Sequence, residues 1–240
     1  MSTNLKLFLG TSYLIILFAF IYLIFSYVEI PRLDDFVYYK EIQINLEKNI
    51  SENLYINLLI FFLFCVIWVS LLGFATPLLF ISGILFGKWL GTAISVLSIS
   101  VGALILYLIA SFFFKDLVRN LLEKKYLKYI NLFRKNEFNY LLAFRLAGGL
   151  GVPFGPQNVL PVIFNIKKMN YFIASFLGFI PTFFISNTIG SGLNEYVKSA
   201  DNFSFLNLIL NKEIYLPIIL FVFVISISLI IKKKIFDVRN

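Results

Sequence analysis

Histidine is absent from the 240 residues, and with it goes the commonest general base and metal ligand. A single cysteine, Cys65, is present, so the chain has no disulfide framework and no thiolate metal site. Charge is scarce as well: 14% of residues are Asp, Glu, Lys or Arg, against about 25% in a soluble domain that must clothe its surface. No Asp or Glu occurs between Glu52 and Asp116, or between Glu137 and Glu195. Proton-coupled transporters usually bury a carboxylate to carry the proton, so these gaps argue against a proton antiporter. The sequence holds no nucleophile–base pair, no metal-ligand set and no phosphate-gripping glycine motif with its lysine. The expectation is a protein that is not an enzyme and needs neither cofactor nor metal.

What is abundant is apolar. Hydrophobic residues make up 60% of the chain and aromatics 18%, with a mean hydropathy of +0.87. Residues 7–28, 169–194 and 214–231 carry no charge, and residues 54–114 carry one, Lys88. A helix of about 18 or more apolar residues crosses the hydrocarbon layer, so one membrane domain takes up the whole chain. The first run is too long for a signal-peptide core and no small-residue cleavage site follows it, so it reads as a retained anchor. The net charge of +8 sits between and after the apolar runs. That placement fits orientation and anionic lipid headgroups, not nucleic acid.

Lysine and arginine counts orient the chain. Residues 29–53 hold three, against six acids, and read as an outer polar loop; residues 115–137 hold seven and read as inside. Residues 191–213 hold two, hence outside, and the tail holds Lys232, Lys233, Lys234 and Arg239, hence inside. Between the first two stretches lie 61 apolar residues, and the charge rule demands an odd number of crossings there. A re-entrant hairpin over 54–90, followed by a span over 91–114, satisfies this. Its tip falls at residues 73–77 (GFATP), with Thr76 and Pro77, where glycine and proline interrupt helical hydrogen bonding. Residues 138–166 are broken by Gly148, Gly149, Gly151, Pro153 and Pro156, and unpaired backbone in hydrocarbon costs several kcal/mol per group. A second hairpin from the inside resolves this, followed by spans at 168–190 and 214–231. Apolar spacing at 117, 118, 121, 122, 126, 129, 130 and 133 makes 115–137 a basic amphipathic helix on the inner surface.

The expected fold is therefore all-α: about four full transmembrane helices plus two opposed re-entrant hairpins in inverted repeat, both termini inside. Residues 1–53 form the anchor and outer loop, 54–195 the central domain, and 196–240 an outer loop, last span and basic tail. A faint echo links the halves, since Pro77 and Lys88 are spaced like Pro156 and Lys167.

Several residues carry candidate roles. Gly83, Gly87 and Gly91 recur every four residues, with Gly102 further on, as in close helix packing. Arg145 lies about seven residues into an apolar arm, where an arginine costs about 2.5–3.5 kcal/mol on insertion scales. It either snorkels to the interface or sits in a polar cavity and grips a phosphate through its planar fork, joined by amides at Gly148, Gly149 and Gly151. Gln157 and Asn158 either satisfy open backbone groups at the hairpin tip or line a path. Gly178 and Pro181 read as helix-packing positions in a kinked span, and the Ser186, Asn187 and Thr188 that follow read as a polar face or as ordinary helix–helix hydrogen bonding.

The stretch TPLLFISGILFGKWLG (residues 76–91) with SISVGA (98–103), then FRLAGGLGVPFGPQN (144–158), LGFIP (177–181) and GSG (190–192), resembles the DedA superfamily. Within it the similarity is greatest to the VTT-domain branch, also called SNARE-associated Golgi protein, over roughly residues 55–195. The resemblance implies two re-entrant hairpins in inverted repeat, and scrambling of phospholipids or flipping of lipid-linked carriers. Arg145 falls on that family's second-hairpin arginine and Asn158 on its following asparagine. Where the family often has an arginine after the first full span, Ala110 and Ser111 stand here, and the acidic residue of some members' first hairpin is missing. Proton-coupled flipping is accordingly not implied. The expected setting is the plasma (inner) membrane of a prokaryote and the expected partners are phospholipid headgroups, with self-association left open. An ion or small-solute transporter and a non-transporting membrane scaffold stand as alternatives.

Overall fold

A computed structural model describes residues 36–72, 74–113, 136–200 and 204–236, with isolated positions near the N-terminus and at 115, 116 and 120. The anchor at 7–28 and the amphipathic helix expected at 115–137 lie outside the described residues. Among the described residues the chain is helical, with no strand. In order come α1 (Phe36–Glu52), α2 (Leu54–Leu72), α3 (Thr76–Phe113), α4 (Glu137–Leu146), a 3₁₀ turn (Gly148–Gly151), α5 (Phe154–Val159), a 3₁₀ segment (Leu160–Phe164), α6 (Lys168–Ser199), α7 (Phe205–Leu210) and α8 (Lys212–Phe236).

Two expectations change. The stretch read as an outer loop is a helix over Phe36–Glu52, because Ile42, Leu46 and Ile50 recur every four residues among its charges. Likewise α6 runs through Pro181 to Ser199, beyond the expected end at 190. Three described helical stretches are long and apolar enough to cross a membrane: Leu54–Leu71, Thr76–Phe113 and Lys168–Ser199. The first, taken from sequence as one arm of a hairpin, has 18 residues, about 27 Å at helical rise, close to the thickness of the hydrocarbon core. Its residues Ile56, Leu59, Ile60 and Leu63 are half exposed or more, as a lipid-facing stripe requires. The last helix, α8, covers the expected span at 214–231.

The breaks fall where local chemistry demands. Between α2 and α3 the Trp68 indole donates to the Phe74 carbonyl (3.1 Å) and packs edge-on against the Phe74 ring at 5.1 Å, closing the turn. Leu54 and Gly87 both line one groove. Downstream, the Glu137 carboxylate accepts from the Lys167 amide (3.3 Å) and from the Asn170 side chain (2.6 Å). The chain that leaves at Glu137 is therefore back beside it thirty residues later. Pro77 sits at the start of α3 and Lys88 just after the Gly87 break, while Pro156 sits in α5 and Lys167 caps α6.

Packing centres on α6, which meets α3 most extensively, then α4 and α8. Apolar side chains gain nothing by leaving lipid for protein, so close backbone approach does the work and small residues permit it. A Cβ on Gly83 would overlap the Asn187 backbone, one on Gly190 the Phe80 carbonyl, and one on Gly178 the Arg145 Cβ. At Gly91 a Cβ would lie 2.6 Å from the Ser82 carbonyl oxygen, and at Gly102 3.0 Å from that of Val66. Gly87 corrects the reading from spacing. It has φ 72° and ψ 176°, and a Cβ there would meet nothing within 4 Å. It breaks α3 instead of packing it, in a backbone region essentially confined to glycine. Pro181 likewise is exposed on α6 and is not a packing residue.

Candidate functional site

Arg145 closes α4, whose start is capped by the Asn136 side chain accepting from the Asn139 amide. Contrary to the snorkelling reading, it turns inward and is 1% exposed. One guanidinium nitrogen donates to Gln157 Oε1 (3.3 Å). The other donates to Asn158 Oδ1 (2.8 Å) and Tyr171 Oη (3.0 Å). The ring of Phe179 lies 4.7 Å from its central carbon and that of Tyr171 5.5 Å. Its Nε has no hydrogen-bond partner, and no carboxylate pairs with it among the described residues. Neutral dipoles and ring faces offset part of the cost of burying this charge. A net positive centre with an unpartnered Nε remains.

The loop after α4 is built to hold it. Gly148, Gly149, Leu150 and Gly151 all have positive φ, at 60°, 73°, 54° and 78°. A residue bearing a Cβ loses roughly 1–2 kcal/mol in that conformation, which glycine avoids at three of the four positions. The Gln157 amide lies directly over Gly149, where a Cβ would collide with it. Its Nε2 donates to the carbonyls of Val152 (2.5 Å) and Gly148 (3.4 Å). Gln157 therefore satisfies open loop carbonyls and also braces Arg145.

The structure gathers some of the sequence candidates and separates others. A cavity of about 340 Å³ opens between the two chain breaks, lined by Thr76 and Phe80 from one, and Arg145, Gly148 and Gln157 from the other. Thr182, Phe183 and Ser186 of α6 complete it, and the Thr182 hydroxyl is buried without a partner. Asn158 stands behind the guanidinium, fully buried. Gly151 is exposed and outside the lining, as are Pro77, Pro153 and Pro156. Two loop amides are already spent, Leu150 on the Ala147 carbonyl and Val152 on that of Gly149.

Tyr171 and Phe179 were not singled out from sequence. Tyr171 stacks on Tyr107 at 4.5 Å between centroids, and the Tyr107 hydroxyl donates to the Ile166 carbonyl (2.6 Å). Their available signal was register: Tyr171, Gly178 and Phe179 share one face of α6, and a buried tyrosine needs a partner for its hydroxyl. A second polar cluster lies further along α6. There Asn187, fully buried, accepts from Ser82, whose hydroxyl also meets that of Ser95 at 2.6 Å.

No solved structure matches the chain. Residues 74–192, from the turn before α3 to near the end of α6, match the family model described as the VTT domain. The lipid-facing helices and this domain together make the chain an integral membrane protein. By its VTT domain the chain belongs to the DedA/SNARE-associated Golgi protein family.

Proposed function

We propose that the protein passes lipid headgroups between leaflets through the cavity at Arg145. The observation that carries this reading is a fully buried arginine with no carboxylate partner and a free Nε, lining a cavity between two chain breaks. A phosphate matches the guanidinium's charge and its planar fork. At about 340 Å³ the cavity is near the lower end for small-molecule sites. It suits a headgroup, while the acyl chains stay against the exposed apolar faces.

The test is a reconstituted vesicle assay that follows a fluorescent phospholipid between leaflets. Arg145→Ala is expected to insert as readily as the original chain, since a costly buried charge is gone. It should slow translocation roughly ten- to hundredfold, the equivalent of one charge-assisted hydrogen bond of about 1.5–3 kcal/mol. Arg145→Lys keeps the charge without the fork and should retain part of the rate. Translocation by Arg145→Ala at the original rate would end the phosphate-guide reading. The cavity's small volume also favours a second reading, passage of a small free anion. Sulfate or phosphate efflux from the same vesicles, without lipid movement, would establish that reading instead.

The orientation belongs to the same proposal: both termini and residues 115–137 inside, 29–53 and 191–213 outside, the hairpins opposed, in a prokaryotic inner membrane. Single cysteines at Lys48, Lys125 and Lys198 in a Cys65→Ala background test it with an impermeant thiol reagent on intact cells. Labelling is expected at 48 and 198 and not at 125; strong labelling at 125 overturns the arrangement.

A further inference from the structure

A larger cavity, about 880 Å³, lies between α1, residues 84–90 of α3 and the end of α6. Its walls are apolar, with Ile42, Leu46 and Ile50 from α1 facing Leu85 and Leu90 of α3 and Val197 of α6. Its polar groups gather on the side where α1 meets the end of α6. Gln43 Nε2 donates to the Asn194 carbonyl (2.8 Å), and Lys198 pairs with Glu47 at 2.7 Å. Glu195, exposed and also in the lining, has no ion-pair partner among the described residues. The groove is therefore apolar along its length, polar at one edge, and carries one uncompensated negative charge.

Its position matters as much as its chemistry. The Arg145 cavity reaches Phe80 on α3 and Ile189 on α6, and the groove begins at Ile84 and Ser191. The close contacts of Gly83 with Asn187, and of Gly190 with Phe80, fall between these positions. The two cavities lie on either side of this α3–α6 contact, the groove's edge negative and the Arg145 cavity positive.

We infer that the groove under α1 is a lipid-binding site for a zwitterionic phospholipid with an amine headgroup. The apolar walls take acyl chain, and the Glu195 edge takes the ammonium. An anionic lipid lacks the charge that Glu195 complements. The groove's place as the docking station before the Arg145 cavity rests on the translocation reading; the binding site itself does not. The same zwitterion would present its amine to the first site and its phosphate to the second.

The test places the photo-crosslinker benzoylphenylalanine at Leu46 of the full chain. The protein is reconstituted in vesicles of phosphatidylethanolamine and phosphatidylglycerol in equal proportion. Illumination is expected to give lipid adducts enriched about threefold in phosphatidylethanolamine, the scale of one exposed ion pair. Glu195→Gln should remove that enrichment and keep the adducts. Ser191→Trp and Val197→Trp, which fill the groove from two sides, should each suppress the adducts while the detergent-solubilised protein melts normally. Arg145→Ala should leave adduct yield unchanged even as translocation slows, which separates failure of this site from failure of the headgroup path. Absence of lipid adducts in the parent chain, adducts joining two copies of the chain, or equal yields from both lipids would each overturn the assignment. Suppressed adducts with undiminished translocation in Ser191→Trp would remove the groove from the lipid path.

Discussion

Gly83→Leu is expected to leave little folded protein, whereas Gly151→Ala should be nearly silent. At Gly83 a Cβ would collide with the Asn187 carbonyl oxygen and lie 2.9 Å from that residue's carbonyl carbon and Cα. All three are backbone atoms inside α6 and cannot step aside as a side-chain tip can. The two helices with the most extensive contact in the fold must then separate, which also pulls Ser82 away from Asn187. Overpacking typically costs 1–3 kcal/mol and occasionally more, and loss of the buried hydrogen bond adds about 1 kcal/mol. On a scale of 2–4 °C per kcal/mol, the detergent-solubilised protein should melt about 10 °C lower, and most of it should fail to run as a monodisperse peak. Gly151 has φ 78° but open space around its Cβ position, so alanine there costs only local strain of roughly 1 kcal/mol. Equal melting temperatures for the two variants would mean the α3–α6 seam is not packed as described.

That pair of glycines also shows what the sequence could and could not disclose. The breaks at residues 73–77 and 148–156 were legible because glycine and proline act on their own backbone, whatever surrounds them. Gly87 was not. It sits four residues from Gly83 and four from Gly91, a spacing that matches a packing stripe, and only the fold shows that it alone of these three has no neighbour and a positive φ. Arg145 was legible as a cost that something must offset. Its aromatic partners were not, because Tyr171 and Phe179 come from a different helix and reach it through the approach that Gly178 permits. Helix α1 was hidden by its charges, which masked a four-residue apolar repeat at low mean hydropathy. The fold class was thus written in composition and run length, while the site depended on contacts between distant segments.

The last expectation concerns the second break. Replacing Gly148, Gly149, Gly151, Pro153 and Pro156 together with leucine should turn residues 138–166 into one continuous apolar helix. Its 29 residues would reach about 43 Å at helical rise, enough to cross the hydrocarbon layer with tilt. Five leucines contribute roughly 1.5–3 kcal/mol toward insertion, against about 2.5–3.5 kcal/mol for Arg145 near the centre. Relief from the glycine and proline penalties adds to the leucine side. The five-fold variant should therefore be divided between orientations, and adding Arg145→Leu should tip it fully. The break now returns the chain to Glu137, where the Lys167 amide and the Asn170 side chain meet its carboxylate; a crossing helix would carry Lys167 to the opposite face. A reporter fused after residue 200, active on only one side of the membrane, reads the outcome. Mixed location for the five-fold variant and complete relocation for the six-fold variant are expected. A fusion that stays on its original side in both would show that residues 138–166 never returned to the face they entered from.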